Sequence, residues 1–193
     1  MKNKFKKLLA LLLIVFGSYS FTTVLNEKID INVDKSNLHW KGFKVTGSHE
    51  GNLRFESGTL TFTEDGKLVD GTFLIDMNSM ECTDLEGEYK EKLDRHLKSK
   101  DFFGTNEHPS ATLQFKEITV SGKNSYRIKG DLTIKGITNS IEFDFSIYGK
   151  KATATLKIDR TKYDIKYGSS SFFDGLKDKA IYDDFDIKVD LEF

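Results

Sequence analysis

The sequence predicts an all-β fold: a long antiparallel meander with one apolar face, closed into a barrel of about eight strands or folded into a two-sheet sandwich. Three observations predict it. Apolar and polar residues alternate with period two along most of the chain, turn residues separate the alternating runs at short intervals, and only one segment carries a helical spacing.

The first residues stand apart from this pattern. Lys2, Lys4, Lys6 and Lys7 precede an apolar run from Leu8 to Phe16, followed by Gly17-Ser18-Tyr19-Ser20. A basic start, a short apolar run and small residues behind it predict an export signal over 1–20, cleaved near Ser20. The run is too short to span a bilayer, and no Cys follows it to carry a lipid, so no stable membrane anchor is expected. Residues 21–193 should form one soluble domain. They are enough for a sizeable core and too few for two, and no Pro-, Gly- or Ser-rich linker divides them.

The strands follow in order. Leu53 with Phe55, Leu60 with Phe62, Phe73 with Ile75 and Met77, and Leu113 with Phe115 share parity. From Tyr126 to Lys135, the residues Tyr126, Ile128, Leu132 and Ile134 take one face, and Arg127, Lys129, Asp131, Thr133 and Lys135 the other. Three more runs repeat the pattern: Ile141, Phe143, Phe145 and Ile147; Ala152, Ala154, Leu156 and Ile158; and Phe185, Ile187, Val189, Leu191 and Phe193. Asp65-Gly66, Gly122-Lys123-Asn124, Gly136 with Asn139, and Gly149-Lys150 carry the turn chemistry of hairpins between them.

The helical segment is the exception. Thr83-Asp84-Leu85-Glu86 matches a capping box, and Leu85, Tyr89, Leu93 and Leu97 recur at four-residue spacing. This spacing predicts a helix from about Asp84 to Ser99, packed by that stripe across one open end of the barrel, with Glu88, Lys90, Glu91, Lys92 and Arg95 in water.

Composition excludes several functions. Without the four leading lysines, 25 of the 29 basic residues remain against 30 acidic ones, and no polybasic stripe marks a nucleic-acid surface. Cys82 is the only cysteine, so no internal disulfide forms, and Glu81-Cys82-Thr83-Asp84 offers no cation to activate it. His39, His49, His96 and His108 lack metal-ligand spacing. No nucleophile elbow or phosphate loop occurs, and Asp183-Asp184 reads as solubilising surface. An enzyme, a metal site and a cofactor are all disfavoured.

A barrel of this size is either filled by side chains or holds one small ligand. Sixteen phenylalanines favour filling, whereas Gly130, Ala152 and Ala154 on the inward parity leave room. Phe102-Phe103 follow the helix, and Phe172-Phe173 sit in the flexible stretch Gly168–Gly175. Each pair either gates an apolar ligand or plugs a loop onto the core. Counting in twos from Ala152 puts Arg160 inward, where a charge needs a partner. It either pairs with an aspartate such as Asp183 or waits at the mouth for a ligand's polar head.

Three ordered blocks are recognisable. Lys92–Phe103 with Pro109, then Gly130-Asp131-Leu132-Thr133-Ile134-Lys135-Gly136-Ile137-Thr138, then Ile158-Asp159-Arg160-Thr161 resemble the YceI family, over about Asp30 to Phe193. Where members often carry a His-Ser pair near the first strands, this chain has Lys35-Ser36 and then Leu38-His39-Trp40-Lys41-Gly42. The resemblance implies a lipocalin-like barrel, exported in bacteria, with an elongated apolar cavity for polyisoprenoid chains or related amphiphiles, and neither a metal nor a reaction.

The reading is a non-enzymatic periplasmic carrier or scavenger of a long apolar lipid, with secretion as the other outcome of export and a homodimer left open. Its alternative is a filled barrel that docks to an envelope or redox partner. The expected ligand-binding residues are Trp40, Phe62, Phe73, Ile75, Leu93, Leu97, Phe102, Phe103, Phe115, Leu132, Ile134, Phe143, Phe145, Ile158, Arg160, Phe172 and Phe173.

Overall fold

The structure, a computed structural model, describes residues 26–193; the expected export signal and its cleavage point lie outside the described residues. Nine strands and one helix follow in the order β1 (Glu27–Asp30), β2 (Asn37–Lys44), β3 (Gly47–Phe62), β4 (Leu68–Cys82), α1 (Gly87–Lys98), β5 (Ser110–Val120), β6 (Ser125–Ile134), β7 (Ile137–Tyr148), β8 (Lys151–Asp159) and β9 (Ile181–Glu192). All pairings are antiparallel. Strands β2 to β9 pair in sequence, and β9 returns to pair with β2, so eight strands close into a ring. β1 lies outside it, on Thr59–Phe62 of β3. The barrel, and not the sandwich, is the solution this chain adopts.

Irregularities in the ladders reconcile parity with burial. Leu53 and Phe55 are odd-numbered, Leu60 and Phe62 even-numbered, yet all four are buried. Phe55 faces Ile75 but Ser57 faces Leu74, so β3 carries one extra residue there, and the bulge turns the second pair inward. Between Asp76 and Glu81, β4 bulges more widely against only Arg54 and Asn52 of β3, and the Ser79 hydroxyl accepts the Arg54 N–H at 2.8 Å.

The core is organised around Phe115, whose ring lies 5.6 Å from Phe73, 5.8 Å from Phe143 and 5.6 Å from Phe145. Gly71 makes room for it, since a Cβ there would come within 2.5 Å of that ring. Phe143, Phe145, Leu132 and Ile134 share this interior, as their common parity predicts.

The two ends of the barrel differ. The turn end gathers the 31–36 segment, the β3–β4, β5–β6 and β7–β8 turns and the C-terminus. There Phe62 stacks on Phe193 at 5.8 Å, and the Ile31 and Asn32 N–H groups donate to the Gly58 and Glu192 carbonyls. The helix end carries α1 and a long segment between β8 and β9.

α1 begins later than the sequence predicts. The capping box does not form: the N-cap is Glu86 without a side-chain bond, because Thr83 continues the pairing of β4 through its N–H to the Glu50 carbonyl, and Gly87 turns the chain at φ 56°. Tyr89 is 75% exposed, so the buried stripe reduces to Leu97 with Leu93 and Leu85 partly covered. Polar contacts fix α1 to the end of β4: Asp94 accepts the Cys82 N–H at 2.7 Å, and Lys90 donates to the Cys82 carbonyl.

The segment after β8 opens with a 3-10 turn, Arg160–Tyr163, capped by the Asp159 carboxylate, which accepts the Thr161 N–H at 2.9 Å. It then crosses the helix end as a strap. Tyr167 meets His96 of α1 at 4.5 Å between ring centroids, the Asp164 carbonyl accepts from Lys135 Nζ in the β6–β7 turn, and the Ala180 carbonyl accepts the Val45 N–H from the β2–β3 turn.

Candidate ligand-binding site

Every strand of the ring sends side chains into one central cavity of about 140 Å³. Alternation makes its wall apolar: the polar partners of each strand face water. Of the expected residues, Trp40, Phe73, Ile75, Leu97, Phe102, Phe103, Phe115, Leu132, Ile134, Phe143, Phe145, Ile158 and Arg160 line it.

Four do not. Phe62 lies at the turn end, where it stacks on Phe193. Leu93 packs against the core at the margin of α1, because the face that reaches the cavity is one turn further on, at Leu97. Phe172 and Phe173 are 50% and 51% exposed on the outer side of the strap. The two aromatic pairs therefore divide: Phe102 and Phe103 are buried in the wall, 5.2 Å apart, and Phe172 and Phe173 face outward.

Sequence reading missed other lining residues. Leu38 and Gly42 share Trp40's parity, and Ile187, Val189 and Leu191 continue a recognised inward run, so alternation held the signal. Met77 continues the parity of Phe73 and Ile75, whereas Met80 enters through the wide bulge of β4, which no local pattern announces. Of the small residues expected to leave room, Ala154 lines the cavity, while the space beside Gly130 is taken by Leu113, 3.1 Å from where a Cβ would sit.

Polar groups are few at the wall. Trp40 Nε1 is buried without a partner among the described residues, its ring lying against Gly51, where a Cβ would come within 2.8 Å of it. Arg160 is 2% exposed. Its Nε donates to the Tyr182 carbonyl at 3.0 Å, and its two terminal nitrogens to Ile165 at 2.6 Å and Ile181 at 3.0 Å. Asp183 lies 3.6 Å away, and the Phe102 ring sits 5.6 Å beneath the guanidinium. Burial lowers the guanidinium's hold on its proton, and Asp183 and Asp159 oppose that. Arg160 thus ties both ends of the strap to the barrel rim, and Asp183 is its ion-pair partner rather than free surface.

Cys82 is free and buried, its thiol pushed up by burial and by its bond to Asp84. Burial pushes the Asp84 carboxyl up, but bonds from the Cys82 thiol at 3.0 Å, the Glu50 N–H at 3.1 Å and His49 at 3.0 Å outweigh it and hold the carboxyl at about 2. No group of three potential metal ligands gathers among the described residues.

The family model of the YceI-like domain matches residues 29–193. The chain belongs to the YceI family. Two UPF0312 proteins of Staphylococcus aureus are related to it in part: one is 38% identical over 88 residues, 40% of this chain and 48% of its own length, and the other 51% identical over 59 residues, 31% and 32%. The chain spans about half or less of the curated relatives it matches. Among solved structures, BcnA of Burkholderia cenocepacia superposes with a TM-score of 0.67 at 22% identity, covering 83% of this chain and 98% of BcnA. A polyisoprenoid-binding domain of Saccharophagus degradans gives 0.57 at 14%, covering 88% and 97%. The YceI protein of Campylobacter jejuni gives 0.55 at 16%. At these identities the likeness is one of fold: this YceI chain has the same closed barrel.

Proposed function

We propose that this YceI protein is a non-enzymatic carrier or sequestering protein for a long apolar molecule, a polyisoprenoid or related amphiphile, acting in the bacterial envelope after export to the periplasm. The central observation behind the reading is the apolar cavity, into which all eight strands of the ring and α1 contribute side chains. Transfer of apolar surface out of water, worth roughly 25 cal/mol per Å², supplies the affinity such a wall offers. The name of the Saccharophagus relative supports the ligand class.

The volume sets a condition. A cavity near 150 Å³ holds about one benzene, and drug-sized ligands occupy about 300–1,000 Å³. A long chain must therefore displace side chains here, and Met77, Met80 and Leu97 are unbranched or marginal enough to move. The same modest volume favours the second reading, a barrel largely filled by its own residues that serves as an interaction module.

Native mass spectrometry of the purified mature protein separates the two. A co-purifying lipid, displaced or weakened in Phe145→Trp, is the expected result. That substitution fills cavity volume, and overpacking also costs about 1–3 kcal/mol, so melting is measured beside binding. Unchanged lipid affinity in a folded Phe145→Trp protein would place the ligand elsewhere, and no lipid uptake at all favours the filled barrel.

A further inference from the structure

β7 and β8 are the neighbours that pair over the shortest length of the ring: their ladder joins Phe145–Tyr148 to Lys151–Ala154 and stops. β7 runs on beside β6 to Ile137, and β8 beside β9 to Asp159. The two strands therefore part toward the helix end, and a cleft of about 200 Å³ opens between them in the barrel wall. That is room for more than a water molecule.

The cleft joins two kinds of surface. Ile158 lines both it and the central cavity, the one residue common to the two among the described residues, so the cleft backs onto the cavity at that side chain. Tyr163 reaches the cleft from the 3-10 turn at the root of the strap, which Asn139 ties to β7 by donating to the Lys162 carbonyl at 3.0 Å. The residue is 1% exposed, and its hydroxyl has no hydrogen-bond partner among the described residues. A buried donor left unpaired beside an open space calls for an acceptor from outside the chain.

The charges around the cleft cancel. Lys157 and Lys162 stand with Glu142 and Asp159 along its lining. Lys157 lies 3.9 Å from Asp186, Glu142 lies 3.5 Å from Arg127, and Asp159 accepts both the N–H and the hydroxyl of Thr161. An anion or a cation gains little net attraction there. The phenol of Tyr163, pushed up to about 12 by burial and by Asp159, stays a neutral donor at neutral pH.

Resting on the carrier reading, we propose that the β7–β8 cleft seats the polar head of the carried molecule, that this head is an uncharged acceptor oxygen, an alcohol or a carbonyl, held by the Tyr163 hydroxyl, and that the chain runs from it past Ile158 into the central cavity. A wall of apolar side chains grips a chain anywhere along its length, and one polar group placed beside it fixes which end goes where. The unpaired hydroxyl is then a cost to the empty protein that the bound head offsets.

The test titrates the mature protein with farnesol, farnesal, farnesyl phosphate and the hydrocarbon formed when the hydroxyl of farnesol is replaced by hydrogen. Emission of Trp40, the only tryptophan, reports the chain because that ring lines the cavity. Tyr163→Phe should weaken binding of the alcohol and the aldehyde by about three- to tenfold, the worth of one neutral hydrogen bond, and should leave the hydrocarbon within about twofold of wild type. The phosphate should bind wild type no more tightly than the alcohol does. Melting of the variant is measured beside binding, and a second reading needs no substitution: in isotope-labelled wild type, the resonance of the Tyr163 ring carbon that bears the hydroxyl should move with farnesol and not with the hydrocarbon. Equal losses for alcohol and hydrocarbon, or a Tyr163 resonance indifferent to bound farnesol, overturn the head site and leave the carrier reading standing. A phosphate that binds about tenfold more tightly than the alcohol overturns the uncharged head. If Trp40 responds to none of these ligands, the carrier reading itself fails and takes the head site with it.

Discussion

The two ends of this barrel solve one problem in opposite ways. At the turn end, short hairpins and the N-terminal strand close the ring with packed apolar groups, Phe62 on Phe193 with Leu68 and Ile31 buried nearby. At the helix end the closure is long and polar at its root: a charged side chain at 2% exposure holds a strap by its backbone carbonyls. An apolar plug gains by excluding water and has no reason to open. A closure built on hydrogen bonds to one arginine can be released as a unit, because breaking that set frees the whole segment. The difference predicts that the helix end opens more readily than the turn end.

The largest expected effect tests the foundation. Phe62→Ala should cost about 3 kcal/mol or more of stability, as burying an aromatic and then deleting it does. Affinity of the folded variant for a lipid ligand should not change, because Phe62 does not line the cavity. Urea denaturation with calorimetric titration measures both, and a clear loss of affinity would extend the ligand to the turn end.

Arg160→Gln attacks the other closure. Leaving buried carbonyls unpaired costs about 1–3 kcal/mol. The strap should then lose amide protection in hydrogen exchange before β3 and β4 do, whereas a uniform loss across the barrel would deny that the strap is a separate unit. The same variant decides the second role open to Arg160. A guanidinium committed to carbonyls should give equal changes in affinity for a lipid phosphate and its alcohol counterpart. A selective loss for the phosphate would make Arg160 a headgroup contact.

A smaller effect lies at the start of the α1 connection. Asp84 is held at about 2, below the usual carboxylate range, so the stability it contributes is fully present above about pH 4 and is lost as pH falls through about 2. Asp84→Asn should cost about 1 kcal/mol at neutral pH after allowance for its partial exposure, and the gap to wild type should close toward pH 2. A constant gap across that range would mean that the lost hydrogen bonds, and not the charge, account for it.

Why some of this was legible in the sequence follows from what each signal is local to. Alternation is a property of one strand, so inward faces such as Phe143 with Phe145 and Leu132 with Ile134 could be read directly, and so could the inward parity of Arg160. Closure is a property of β2 meeting β9, residues far apart in sequence, and parity alone left a barrel and a sandwich equally open. The capping box failed because Thr83 was claimed by Glu50, a residue more than thirty positions away. Met80 reached the cavity through the wide bulge of β4 opposite β3, which neither strand encodes alone. Phe172-Phe173 looked like Phe102-Phe103 as a pair; only the strap's path over α1 turns one outward and the other in.

The smallest expected effect concerns the wall beside the strap's root. β7 and β8 pair only from Phe145 to Tyr148, and below that they part around a polar cleft lined by Asn139, Glu142, Lys157 and Tyr163 among others. Tyr163 is 1% exposed, and its hydroxyl has no partner among the described residues. A buried hydroxyl without a hydrogen bond is a cost to the fold, so Tyr163→Phe should raise stability by about 1 kcal/mol or less, the ring keeping its packing. Burial also pushes the phenol up to about 12. An acid whose folded value is raised contributes stability that is intact below its unfolded value near pH 10 and lost as pH rises through about 12. The advantage of Tyr163→Phe over wild type should therefore widen above pH 10. Denaturation of both proteins at neutral and alkaline pH measures it. A destabilised variant at neutral pH would mean that a water molecule in the β7–β8 cleft reaches the hydroxyl in solution, and that the helix end is wetter at its root than its side chains alone suggest.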